Sequence, residues 1–209
     1  MVMIGTKHIS DLITDPNALK KGQINIIDAG VSAGKTFFAL TMIPKWTSPE
    51  KILYLIDTTN GEMRIQRNIL TQAIGREHYA FCDYNTGEIW GEKVDVVGKM
   101  PVMTYAGFGT EVRKVDSKFN WFDYDYIICD EMQNLVDYQR FNERSTNLEK
   151  AEEALRTIVA EGTTTIVAMS ATPKKIRDRF GELCYDVPFD RSELCQLCTS
   201  TVIPYKKSV

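Results

Sequence analysis

Gly34, Lys35 and Thr36 stand where the apolar run Ile24-Asn25-Ile26-Ile27-Asp28 gives way to small residues and then to Phe37, Phe38, Ala39 and Leu40. A polyphosphate needs backbone N–H groups converging on it at a helix N-terminus, and backbone comes that close only where side chains are small. The loop Ala29-Gly30-Val31-Ser32-Ala33-Gly34 is built almost wholly of such residues, between an expected strand and an expected helix. Lys35 would reach the β and γ phosphates as a mobile charge, and the Thr36 hydroxyl would complete a magnesium shell. The strict phosphate-loop pattern asks for glycine six residues before the lysine, where this chain has Ala29. Gly-Lys-Thr alone also fits a plain strand-to-helix turn, but the flanking elements supply the context that phosphate binding requires.

Two further groups end apolar runs in the same way. Tyr126-Ile127-Ile128-Cys129 closes on Asp130 and Glu131, the layout by which a parallel sheet presents acids at its carboxyl edge beside a bound nucleotide. Asp130 is expected to hold magnesium, and Glu131 to polarise the attacking water as general base. A strand that merely ends in surface acids is the alternative, and the upstream loop weighs against it. Ile166-Val167-Ala168-Met169 closes on Ser170, Ala171 and Thr172, followed by Pro173. These hydroxyls fit a helix cap, a coupling segment, or both.

Taken together, Ala29 to Thr36 resembles motif I of superfamily 2 (DEAD/DEAH-like) helicases, whose first position is commonly alanine. Asp130-Glu131-Met132-Gln133 resembles their DExx motif II, and Ser170-Ala171-Thr172 their motif III, in the family's order. The resemblance implies an N-terminal RecA-like ATP-binding domain over residues 1–190, with ATP and Mg2+ as cofactors. It implies that Gln133 senses the γ phosphate or links to the motif III hydroxyls, and that Ser170 and Thr172 relay nucleotide state. Residues 191–209 are then a linker or tail toward a second RecA-like domain, in a longer chain or another protein. No Gln-x-x-Gly-Arg-x-x-Arg segment is found, so the family's arginine finger is missing and slow turnover by this chain alone is expected.

The resemblance also implies a partner, single-stranded or duplex nucleic acid. Residues 55–61 look like motif Ia, and Val102-Met103-Thr104-Tyr105 like a segment after which many members contact a strand. Candidate contacts are Thr59, Asn60, Arg64, Thr104 and Tyr105, with the basic group Lys174, Lys175, Arg177 and Arg179, whose alternative is a solvated helix face. Two rival readings remain, a viral DNA-packaging (terminase-like) ATPase and a nucleotide-dependent binding module without motor activity.

The elements that must position these residues are legible as a βαβ pattern. Short β-rich apolar runs at 24–28, 52–57, 79–82, 94–97, 102–105, 126–130, 165–169 and 183–187 alternate with helical patterns beginning at Lys35, near Glu62, near Gly107, near Thr146 and after Pro173. The expected fold is α/β, a three-layer RecA-like P-loop NTPase domain around a central mostly parallel sheet. In the strongest helix, Leu148, Ala151, Leu155, Ile158 and Val159 share one face.

Composition bounds the rest. A chain of 209 residues with 44% apolar content, net charge -3 and pI about 5.5 suits one globular domain and argues against nucleic-acid binding by bulk charge. An odd set of 5 cysteines fits free thiols in a reducing cytoplasm, and the Cys195/Cys198 pair lacks nearby partners for a zinc site. With no apolar run long enough to span a bilayer, a cytoplasmic protein without membrane contact is expected.

Overall fold

Runs of Ile, Val and Leu without alternating polarity form strands only where both faces are covered, and helices must then flank the sheet on both sides. The computed structural model describes residues 2–4, 6–74, 81–82, 89–90, 100–141 and 146–198. Its central sheet contains β1 (Ile24–Asp28), β2 (Ile52–Ile56), β3 (Val102–Thr104), β4 (Tyr126–Asp130), β5 (Thr165–Ser170) and β6 (Cys184–Asp186). These six strands run parallel in the order β3-β2-β4-β5-β1-β6.

Alternate residues of each strand feed two separate cores. Ile52, Tyr54 and Ile56 face a core completed by α1 (Lys35–Thr41), by Ile65 of α2 (Thr59–Ile74) and by Ile9 and Ile13. Leu53 and Leu55 face the other core, built with α3 (Tyr105–Arg113), α4 (Gln133–Phe141), α5 (Thr146–Glu161) and α6 (Lys174–Phe180). The result is the three-layer α/β arrangement of a RecA-like domain.

Several boundaries differ from the sequence reading. The strand expected at 102–105 stops at Thr104, because that side chain accepts from the Gly107 N–H and caps α3. The helix α4 was not expected, since among its described side chains only Leu135 and Val136 join the core. Of the run at 79–82, Phe81–Cys82 pairs antiparallel with Ile89–Trp90 outside the main sheet, and the run at 94–97 lies outside the described residues.

Residues 191–198, expected to leave the domain, fold back onto its N-terminal segment. Val2–Ile4 pairs antiparallel with Gln196–Cys198, and the Cys195 N–H donates to the Lys7 carbonyl at 2.7 Å. Leu194 is buried and Arg191 pairs with Asp28 at 2.7 Å, so burial and charge both hold this stretch in place. Residues 199–209 lie outside the described residues. Cys129, Cys184 and Cys195 are free thiols. Among the described residues no helix is long and apolar enough to cross a membrane.

Candidate active site

The strands that carry the three sequence groups, β4, β5 and β1, are adjacent, so their carboxyl ends bring Asp130, Ser170 and the 29–34 loop to one edge. Register reinforces this, with Asp28 opposite Ser170 and Asp130 opposite Met169. The Ala29 N–H donates to the Ser170 carbonyl at 3.1 Å, tying the loop to β5. Ser32 (φ 69) and Gly34 (φ 84) take left-handed backbone as the loop turns into α1. At Gly34 a side chain would be strained, and its Cβ would meet His8 Nδ1 at 3.2 Å. The Ile9 N–H donates to the Ala33 carbonyl at 3.1 Å, so the N-terminal segment buttresses the loop.

Lys35 turns back into this loop. Its Nζ donates to the Ala29 carbonyl at 2.9 Å and the Gly30 carbonyl at 3.3 Å, and lies 3.8 Å from Glu131 Oε1. One partly buried amine therefore spans the ends of β1 and β4. A bound polyanion would compete for it with the loop carbonyls and the acid.

Asp130 is 4% exposed. The Tyr54 hydroxyl donates to its Oδ2 at 2.8 Å, and the Tyr105 hydroxyl donates to its main-chain carbonyl at 2.9 Å. Tyr54 lies opposite Ile128 in the β2–β4 register, and the length of its ring covers the two-residue offset to Asp130. Against the larger upward push of burial, the Thr36 hydroxyl also draws the Tyr54 phenol downward. Burial raises the Asp130 carboxyl above its usual range, while the Tyr54 hydrogen bond and the charges of Lys35 and Arg64 pull it down. Burial likewise pushes the Tyr54 phenol well above its ordinary value, which keeps it a protonated donor.

Glu131 leaves the strand at φ 48, a left-handed conformation that costs a non-glycine residue about 1–2 kcal/mol. Its N–H donates to the Met169 carbonyl at 3.0 Å, which holds the turn. The half-buried carboxylate then lines the cleft, where Oε2 accepts from Gln133 Nε2 at 2.6 Å. Gln133 Oε1 accepts from Ser170 Oγ at 2.6 Å, and Ser170 Oγ accepts from the Thr172 N–H at 3.0 Å. A continuous polar chain thus runs from Lys35 through Glu131 and Gln133 to the end of β5. Ser170 is fully buried in it. Ala171 and Thr172 have exposed side chains, and only the Thr172 backbone joins the chain.

The cleft holds about 370 Å³ and is lined by Gly30, Lys35, Thr36, Arg64, Asp130 and Glu131 among others. No group of three or more His, Cys, Asp or Glu among the described residues could hold a metal. Thr36 and Asp130 offer two hard oxygens, a set that fits magnesium, which keeps several waters and takes its other ligands from substrate phosphates.

The expected strand contacts divide. Thr59 and Asn60 are exposed on the first turn of α2, while Arg64 lines the cleft. Thr104 is spent as the α3 cap, accepting from the Gly107 N–H at 3.0 Å. Tyr105 is buried against the Asp130 carbonyl and offers a strand no surface, which corrects its assignment as a nucleic-acid contact. Three of the four basic residues near α6 are paired inside the domain: Lys175 with Asp137 at 2.6 Å, Arg177 with Asp186 at 2.5 Å, and Arg179 with Glu152 at 3.0 Å.

Sequence reasoning missed Tyr54, whose signal was a lone hydroxyl in the otherwise aliphatic run 52–56. It also missed the Asn134 Nδ2 bond to Asp57 Oδ2 at 2.6 Å, which ties α4 to the loop after β2.

No protein-family model matches this sequence, and no curated protein matches it. Among solved structures, the DUF1998 helicase MrfA aligns over 80% of this chain and 28% of that chain, at 17% identity and a TM-score of 0.44. This chain therefore corresponds to little more than a quarter of that protein's length.

Proposed function

We propose that this domain binds ATP with magnesium and hydrolyses it as the motor domain of a nucleic-acid helicase or translocase. The observation that carries the reading is the convergence of Lys35, Thr36, Asp130 and Glu131 on one cleft at the carboxyl edge of a parallel sheet. The 29–34 loop and the Lys35 amine cradle the phosphates, with Thr36 and Asp130 as the magnesium ligands. Magnesium bound there neutralises charge developing on the phosphate oxygens. Glu131 accepts the proton of the attacking water as the new oxygen–phosphorus bond forms and the bond to the bridging oxygen breaks, releasing ADP and phosphate.

The Glu131–Gln133–Ser170 chain supports a motor rather than a static binder. Any movement of the general base when the terminal phosphate leaves is felt at the end of β5, two hydrogen bonds away. A strand on the exposed Thr59 and Asn60, and a second RecA-like domain closing the cleft, are the partners this reading calls for.

The test is ATP turnover with and without single-stranded DNA or RNA, beside Glu131→Gln and Lys35→Ala variants. Strand-stimulated turnover that drops about a hundredfold or more in Glu131→Gln is expected. Lys35→Ala should weaken ATP binding. Nucleotide affinity and turnover untouched by Lys35→Ala would sink the reading.

A further inference from the structure

Arg64 sits in the second turn of α2, on the wall of the cleft that also holds the 29–34 loop and the acid pair. Gly61, one turn earlier, explains the closeness of that wall. A Cβ there would lie 2.7 Å from Ile56 Cδ1, so α2 rests close on the end of β2 and a larger residue would have to push that side chain aside. Ile65 is buried behind it and Arg64 is left on the exposed flank.

The other arginines with described side chains are all bonded within the domain. Arg113 donates to Asn147, Arg156 and Arg179 pair with Glu152, and Arg177 and Arg191 pair with Asp28. Among the described residues Arg64 has neither a side-chain hydrogen bond nor an ion pair of this kind, and its charge acts on Asp130 and Tyr54. The ionisable groups lining the cleft are Lys35, Arg64, Asp130 and Glu131. Without Arg64 the acids would outnumber the bases, in a cavity whose loop is shaped for a polyanion.

We propose that Arg64 is a phosphate-contacting residue, supplied from the domain's own second helix to the terminal phosphate of a bound nucleoside triphosphate. The proposal rests on the triphosphatase reading above. The loop amides cradle the inner phosphates and Lys35 reaches between the β and γ phosphates, whereas the charge of Arg64 is felt at Asp130, beside Glu131, where the terminal phosphate reacts. A planar guanidinium offers paired donors to phosphate oxygens that an ammonium cannot match. This assigns Arg64 to the nucleotide and removes it from the nucleic-acid contacts expected from sequence.

The experiment measures ATP and ADP affinities by calorimetry, with magnesium, for the wild-type chain and for Arg64→Ala, Arg64→Lys and Lys35→Ala. Loss of a charge-assisted phosphate contact should weaken ATP about tenfold in Arg64→Ala while ADP changes less than about twofold. Arg64→Lys should recover part of the ATP preference. ATP and ADP affinities that shift equally, or not at all, would overturn the proposal. Lys35→Ala separates the two levels of argument: if it leaves ATP affinity unchanged, the triphosphate reading has failed and this assignment falls with it.

Discussion

The Tyr54 hydroxyl donates to Asp130 Oδ2 at 2.8 Å, joining the middle of β2 to the last residue of β4 inside the sheet's first core. The bond lowers the Asp130 carboxyl against the upward push of burial. Tyr54→Phe keeps the ring and removes the donor. It should cost about 1–3 kcal/mol in urea denaturation, because a buried acceptor loses its partner. It should also weaken magnesium-dependent ATP binding. An unchanged midpoint and unchanged magnesium dependence would show that the hydroxyl does nothing for Asp130.

Asp130 itself makes stability depend on pH in a defined sense. Its folded-state pKa is raised by burial, so the folded protein binds more protons than the unfolded chain between the two values. Stability therefore falls as pH rises through that window, and the penalty is complete above it. Asp130→Asn removes the titrating group, and the ligand-free variant should be more stable than wild type near pH ~7, with the gap closing as pH falls toward the unfolded value of about 3.9. Denaturation midpoints across that range check it; a gap that widens in acid contradicts the sign.

Ser170→Ala breaks the polar chain at a fully buried position. Gln133 Oε1 loses its donor and the Thr172 N–H its acceptor, a stability cost of about 1–3 kcal/mol. Thr172→Ala, at an exposed side chain, should cost less than Ser170→Ala. Under the motor reading, Ser170→Ala binds ATP normally but loses stimulation by a nucleic-acid strand. Stimulation retained in full would sever the chain from coupling.

Gly109 marks a close backbone approach between α3 and α5. A Cβ there would lie 1.7 Å from the Asn147 carbonyl oxygen, and backbone cannot step aside as a side chain can. Gly109→Ala should destabilise by about 3 kcal/mol or more through overpacking. Ala106→Gly, at an exposed position of the same helix, should cost only about 1 kcal/mol. Thermal melts of the two variants compare them directly, and equal shifts would refute the packing argument.

The parallel sheet was readable because its strands are continuous apolar runs, a pattern that survives any change in what surrounds it. The runs at 24–28 and 126–130 have the expected ends, because each is closed by an acid that prefers the sheet edge. That Lys35, Thr36, Asp130 and Glu131 share one cleft was legible for a related reason. Each stands beside a strand end, and carboxyl ends in a parallel sheet share one edge. The Gln133 to Ser170 link was anticipated only as one of two roles that resemblance implied for the glutamine.

Contacts between distant elements were not legible. Tyr105 looked like a surface residue at a strand end, until α3 started there and turned its ring inward. That Arg64 lines the cleft was not legible either, because sequence placed it after β2 without saying which way α2 leans. The stretch 191–198 looked like a tail because its partners, Lys7 and Val2–Ile4, lie at the other end of the chain.

Local chemistry and hydrophobic period, then, determined from sequence alone that this chain folds as a layered α/β sheet with a loop of small residues and an acid pair at its edge. Both signals are written within a few neighbouring residues. Which side chains meet across that edge was decided by tertiary structure, because a hydroxyl and a carboxylate 76 residues apart are joined only by strand order and register.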